Sequence, residues 1–105
     1  MERQNKYRVI VSAQAIKMLV FHAAFLAQVS TESAELWTSE FEKTAKSLEF
    51  MPQICPWLIG EYIPRNAYHF ILFEKRYMII FQIIDDIVYA DYVIDCKQDY
   101  SWLIR

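Results

Sequence analysis

The sequence has little glycine and proline, and this scarcity argues against a disordered chain. Among its 105 residues there are a single glycine, Gly60, and three prolines. Hydrophobic residues make up 55% of the chain and aromatic residues 16%, whereas disordered segments are poor in both. The chain is therefore expected to fold, and its length suits one domain that spans residues 1–105.

Long hydrophobic runs and paired cysteines are also missing. No uninterrupted apolar run reaches the roughly 18 residues of a membrane span, because charged residues break every hydrophobic segment. The first residues lack the apolar stretch and cleavage site of a secretory signal. Cys55 and Cys96 lie in no CxxC motif, so reduced thiols are expected. These features predict a cytoplasmic protein without direct membrane contact.

Positive charge is scarce as well. The formal net charge is −2 and the sequence pI is about 5.6, whereas a nucleic-acid-binding protein usually carries a basic face. The charge balance therefore weakens any function that depends on attraction to phosphate.

The N-terminal half predicts one strand and two helices. Residues 6–11 alternate as a short strand does, and Ser12 can cap a helix over residues 13–28. The apolar face of this first helix is expected to comprise Ile16, Leu19, Val20, Ala23, Leu26 and Ala27. The hydroxyl-rich residues 30–33 start a second helix that Pro52 ends. Its core stripe is Trp37, Phe41, Ala45 and Leu48.

The C-terminal half predicts three strands. Residues 68–73, 77–84 and 87–96 are rich in β-branched and aromatic side chains and are separated by short charged turns, so an antiparallel meander is expected. Residues 52–66, which hold all three prolines and the glycine, predict an irregular connection. The fold class is therefore α+β with the order β-α-α-β-β-β. A two-helix hairpin packs on one face of an antiparallel sheet.

Strand alternation predicts which side chains face the helices. Tyr77, Ile79, Phe81 and Ile83 are expected in the core, as are Val88, Ala90, Tyr92, Ile94 and Cys96. The opposite, open face is expected to carry His69, Ile71, Met78, Ile80 and Gln82, together with Tyr89, Asp91, Val93, Asp95 and Lys97 of the last strand. Because such a face is largely apolar with scattered polar groups, it has the character of a protein interface. We therefore expect Ile71, Met78, Ile80, Gln82 and Val93 to bind a partner.

The element order and the C-terminal strands carry a family resemblance. The strand of residues 77–83 is followed by Asp85-Asp86, the branched strand of residues 88–94, and then Lys97-Gln98-Asp99-Tyr100. This arrangement resembles the RelE/ParE superfamily of toxins from type II toxin–antitoxin (plasmid stabilization) modules, in a ParE-like and divergent form. The likeness spans nearly the whole chain, and it is carried by the order of features rather than by a single motif.

RelE-type relatives cleave mRNA on the ribosome, and the resemblance implies where their cationic residues would lie. Met78 occupies the position of the strand arginine, His69 and Ile71 those of a lysine pair, and Gln98 that of a C-terminal arginine. Lys97 remains cationic. Weak catalytic candidates are His69, Arg76, Lys97 and Tyr100. Most of the positive charge that stabilises a phosphate transition state is therefore missing. These residues argue against enzymatic activity without deciding it.

ParE-type relatives act by binding proteins and are known as gyrase poisons, and their pattern agrees better with these residues. The resemblance then implies a cognate antitoxin as partner and DNA gyrase or the ribosome as target, and it leaves a homodimer open. The alternatives are an endoribonuclease with an altered site and a degenerate, non-toxic relative. No cofactor is expected. No metal site is expected either, since Asp91 and Asp95 lie too far apart on one strand to bind a single ion without other ligands.

Overall fold

The two helices begin where the sequence supplies N-caps. The computed structural model describes residues 6–97, in which α1 spans Ala13–Ala27 and α2 spans Thr31–Ser47. The Ser12 hydroxyl accepts a hydrogen bond from the Ala15 amide at 3.0 Å, and the Ser30 hydroxyl accepts one from the Ser33 amide at 3.1 Å. Each cap satisfies an amide that the first helical turn leaves without a partner.

The second helix ends earlier than Pro52. Leu48 is its C-cap, and Met51 takes a left-handed conformation with φ of 52° before Pro52 begins a short 3-10 turn over Pro52–Ile54. The predicted core stripe of α2 is confirmed, because Trp37, Phe41, Ala45 and Leu48 are all buried.

Four strands form one mixed sheet. They are β1 (Arg8–Val11), β2 (His69–Phe73), β3 (Tyr77–Ile84) and β4 (Ile87–Asp95), in the order β1-β4-β3-β2. The meander from β2 to β4 is antiparallel, as predicted. By contrast β1 pairs parallel to β4, because the helical hairpin carries the chain back across the sheet before β2. The α1 helix packs on α2 and β4, and α2 contacts β2.

A β-bulge reverses the alternation of β4. Phe81 pairs with Ala90 and Ile80 pairs with Tyr92, so Asp91 is an extra residue without an opposite partner. Before the bulge Ala90 packs under the helices, as predicted. Beyond it Val93 joins that helix-side core, whereas Tyr92, Ile94 and Cys96 belong to a cluster with Ile80. The predicted faces of Tyr92, Val93, Ile94 and Cys96 were therefore wrong.

The face expected to be open is a second core. Met78 is 4% exposed and Ile80 is 0% exposed, and both belong to a cluster with Leu58 and Ile63 of the irregular connection. Residues 55–68 thus cover this face of the sheet rather than another part of the surface. The expected exposure of Met78 and Ile80 was wrong, because sequence alternation identifies faces but not what a long connection covers.

Candidate functional site

Among the helices and strands of residues 6–97, α1 carries the most exposed large hydrophobic side chains. Ile16 is 48% exposed, Val20 60%, Phe21 67% and Phe25 58%. We call these four side chains the α1 outer face. Lys17 is the one charged residue within α1. The prediction that Ile16, Val20 and Ala27 face the core was therefore wrong, because all three are exposed. The core side of α1 is formed by Ala15, Met18, Leu19, Ala23 and Leu26.

The outer face ends at a groove beside the start of β3. One depression of about 250 Å³ is lined by Phe21, His22, Phe25, Arg76, Tyr77 and Asp95. An adjoining depression of about 380 Å³ shares Phe25, Arg76 and Tyr77 and adds Leu26, Ser33, Trp37 and Glu74. We call the two together the Tyr77 groove.

His22 lines this groove and packs against aromatic rings of α2 and β3. Its ring meets those of Trp37 and Tyr77 edge-on, with centroid distances of 5.7 and 5.4 Å. Its Nε2 lies 3.1 Å from the Val93 carbonyl oxygen. The histidine therefore joins α1 to α2 and to the sheet.

Arg76 and Lys97, two of the predicted catalytic candidates, meet at one carboxylate. The Arg76 guanidinium donates to Asp95 Oδ2 at 2.8 Å, and the Lys97 amide donates to Asp95 Oδ1 at 3.0 Å. The guanidinium also lies over the Tyr77 ring, 5.6 Å from its centroid. Asp95 thus compensates the charge of Arg76. Tyr100 and Gln98 lie outside the described residues.

The Asp95 carboxyl predicts a pH-dependent stability. Burial acts to raise its pKa, but the hydrogen bonds from Lys97 and Arg76 outweigh burial and lower the pKa below its ordinary value. Because the folded pKa is lower than the unfolded pKa of about 3.9, the stabilisation is present above that pH and is lost as the pH falls through the folded pKa.

We expect Asp95→Asn to lower the melting temperature at pH 6, and the gap from the parent should shrink as the pH falls below about 4. Thermal unfolding followed by circular dichroism between about pH 3 and 6 measures this gap. A gap that stays constant over that range would show that the carboxylate charge contributes nothing to stability.

His69, the third candidate, is enclosed in the protein. It is 5% exposed, and its ring is stacked on those of Trp57 and Phe81 at 4.0 and 5.4 Å. Its Nδ1 lies 2.8 Å from the Cys55 carbonyl oxygen. It pairs with Phe81, four residues along β3 from Tyr77, which is roughly 13 Å at the rise of a strand. The structure therefore does not bring His69 to Arg76.

The remaining predicted partner-binding residues are also not on an open face. Ile71 is half-buried and packs on the helix side, and Val93 is 0% exposed. Gln82 is half-buried and donates its side-chain amide to Asp91 Oδ2 at 2.8 Å. Their placement on an exposed apolar face was wrong. The signal for the α1 outer face was the near absence of charge in a helix of 15 residues, which is apolar on more sides than one core can cover.

Comparison with known proteins identifies the fold. Neither the protein-family models nor the curated proteins gave a match. A solved structure described as the chromosomal ParDE TA system from P. aeruginosa superimposes with a TM-score of 0.71 and 11% sequence identity, covering 88% of this chain and 98% of that one. The chain has a RelE/ParE-like fold. At this identity the likeness establishes the fold, and activity must be argued from the residues.

Two further features concern membrane spans and metal sites. Among residues 6–97, no helix is long and apolar enough to cross a membrane. Within that same part of the chain, no three histidine, cysteine, aspartate or glutamate side chains are grouped so that they could hold a metal ion.

Proposed function

We propose that this chain is the toxin component of a type II toxin–antitoxin (plasmid stabilization) module and acts mainly by protein binding, in a ParE-like manner. Its first partner would be a cognate antitoxin in the cytoplasm. The observation that carries the proposal is the α1 outer face on a RelE/ParE-like fold. Phe21 and Phe25 each expose more than half of their surface there.

The exposed apolar side chains of the α1 outer face favour binding to a partner protein. Exposed apolar surface is unfavourable in water by roughly 25 cal/mol per Å², and soluble monomers rarely expose a large contiguous apolar patch unless it binds something. Aromatic side chains are enriched at interface hot spots. The α1 outer face provides two phenylalanines and two branched side chains on one rigid helix, which suits the apolar stripe of a partner segment.

The ribonuclease alternative has less support from the geometry. His69 is enclosed between two aromatic rings, Met78 is a core residue, and Arg76 is paired with Asp95. A phosphate would therefore meet no cluster of free cations among these candidates in residues 6–97. If this chain is a degenerate, non-toxic relative, it would still bind the antitoxin through the same contact. If it is toxic, DNA gyrase or the ribosome would be its downstream target.

The test is binding to the product of the reading frame adjacent to this gene. We expect a complex by isothermal titration calorimetry, and we expect Val20→Asp to weaken it about tenfold or more, which is the loss of one well-placed apolar contact. Ile59→Asp is the matched control, because Ile59 is 87% exposed but lies in the connection rather than on α1. Circular dichroism establishes that both variants are folded.

Salt dependence separates this apolar contact from a charge-driven one. Between about 50 and 500 mM salt the dissociation constant should change less than about threefold, because screening acts on charges and not on apolar burial. A steep loss of affinity with salt, or equal losses for Val20→Asp and Ile59→Asp, would contradict binding through the α1 outer face.

A further inference from the structure

We propose that a cavity in the connection between α2 and β2 binds an adenine mononucleotide, with its base stacked on Trp57 and its phosphate bound by Arg65. The cavity has a volume of about 360 Å³ and is lined by Trp57, Leu58, Ile59, Gly60, Ile63, Arg65 and Asn66. We call it the Trp57 cavity. None of these residues belongs to α1, so the site is separate from the α1 outer face and goes beyond the proposed protein-binding function.

Trp57 is the exposed end of a stack of three aromatic rings. The buried Phe81 ring stacks on His69 with centroids 5.4 Å apart and planes 16° apart, and His69 stacks on Trp57 at 4.0 Å and 23°. One face of the indole is thus occupied, yet Trp57 remains 43% exposed and lines the cavity. A planar ligand can extend the stack on the other face, as nucleobases do on exposed aromatic side chains.

Backbone pairing holds this indole in place. Trp57 pairs with His69 in an antiparallel bridge at the edge of β2. The Leu58 amide donates to the Tyr68 carbonyl oxygen at 2.7 Å, and His69 Nδ1 lies 2.8 Å from the Cys55 carbonyl oxygen. These contacts fix both rings relative to the sheet. A base would therefore meet a platform that is formed before binding, which lowers the entropy lost on association.

The charge of the cavity favours an anion. Within residues 6–97, Arg65 is the one charged residue that lines it, and Arg65 forms no ion pair there. By contrast, Glu74 and Asp95 line the Tyr77 groove, and Glu35 and Glu42 line a depression on α2. A guanidinium without a carboxylate partner can bind two phosphate oxygens through parallel hydrogen bonds.

Asn66 makes adenine the best-matched base. Its side-chain amide carries a donor and an acceptor side by side, and this pair complements the N6 donor and N7 acceptor on one edge of adenine. The cavity volume of about 360 Å³ lies at the low end of the roughly 300–1,000 Å³ of ligand pockets, which suits a single nucleotide. Asn66 has a φ of 53°, so glycine is the substitution that removes its amide without backbone strain.

The indole N–H signal of Trp57 in ¹H–¹⁵N NMR spectra reports stacking directly. We expect AMP to shift this signal in a saturable way, with a dissociation constant of about 1 mM or lower. The signal of Trp37, which is 3% exposed, should stay in place and serves as the internal control. The spectrum of Trp57→Phe assigns the Trp57 signal.

Three variants separate the contacts. Trp57→Leu should weaken AMP binding at least about fivefold, because it removes the stacking surface. Arg65→Gln should weaken AMP binding at least about fivefold and leave adenosine binding unchanged, whereas Arg8→Gln, at an exposed arginine on β1, should change neither. Asn66→Gly should remove a preference of about fivefold for AMP over GMP. Circular dichroism establishes that each variant is folded.

Three results would overturn the proposal. The first is a Trp57 signal that does not move up to about 10 mM AMP. The second is equal binding of AMP and adenosine together with no effect of Arg65→Gln, which would remove the phosphate contact. The third is binding of a short adenosine oligonucleotide about tenfold or more tighter than AMP, which would give the site to a nucleic-acid strand. Val20→Asp should leave AMP binding unchanged, so this test and the test of antitoxin binding succeed or fail independently.

Discussion

Replacing Phe81 by alanine should lower the free energy of unfolding by about 3–5 kcal/mol, the range for removing a large buried aromatic side chain. Phe81 is 0% exposed and packs with Leu48 and Val88 in the core beneath the end of α2. Its ring also stacks on His69. Truncation leaves a cavity that these neighbours can only partly fill. Urea denaturation followed by circular dichroism measures the change.

The control for this truncation is Leu72→Ala. Leu72 is on the edge strand β2 and is 54% exposed, so its truncation should cost less than about 1 kcal/mol. A loss below about 1 kcal/mol for Phe81→Ala itself would contradict the burial of β3 under the helices.

Met78→Asp should prevent stable folding at neutral pH. Met78 is 4% exposed within the cluster that joins β3 to the connection. A buried, unpaired carboxylate is destabilising by several kcal/mol, a large part of the roughly 5–15 kcal/mol that a domain of this kind possesses. Circular dichroism and size-exclusion chromatography of the purified variant are the measurements.

Met51→Asp is the matched control, because it introduces the same charge at a methionine that is 59% exposed. It should remain folded. A folded Met78→Asp variant with parental stability would show that this face of the sheet is open, as strand alternation alone indicates.

The elements could be predicted from the sequence because each is specified locally. Ser12 and Ser30 cap the helices, and a charged three-residue turn, in which Glu74 and Lys75 have positive φ, joins β2 to β3 as a short hairpin loop. The face assignment failed at Asp91, because one inserted residue reverses every side chain that follows it. Neither that bulge nor the covering of Met78 by residues 55–68 has a signature in periodicity, since both depend on pairing between distant segments.

The candidate site was harder to predict for a related reason. The α1 sequence is apolar on most sides, so its spacing fits more than one core face, and only packing against β4 decides that Val20 and Phe25 are exposed. The groove at Tyr77 combines residues from α1, α2 and both ends of the β3–β4 hairpin. Arg76 was identified as a candidate from its charge, whereas its pairing with Asp95 required the strand register.

Hydroxyl-radical footprinting with mass spectrometry tests the central claim, that the α1 outer face rather than the sheet is the partner surface. In the free protein we predict rapid oxidation of Met51, Phe21 and Phe25 and protection of Met78, in line with their exposures of 59%, 67%, 58% and 4%. With the adjacent gene product bound, Phe21 and Phe25 should become protected while Met51 stays reactive. Oxidation of Met78 at the rate of Met51 in the free protein, with unchanged labelling of Phe21 and Phe25 in the complex, would contradict the account.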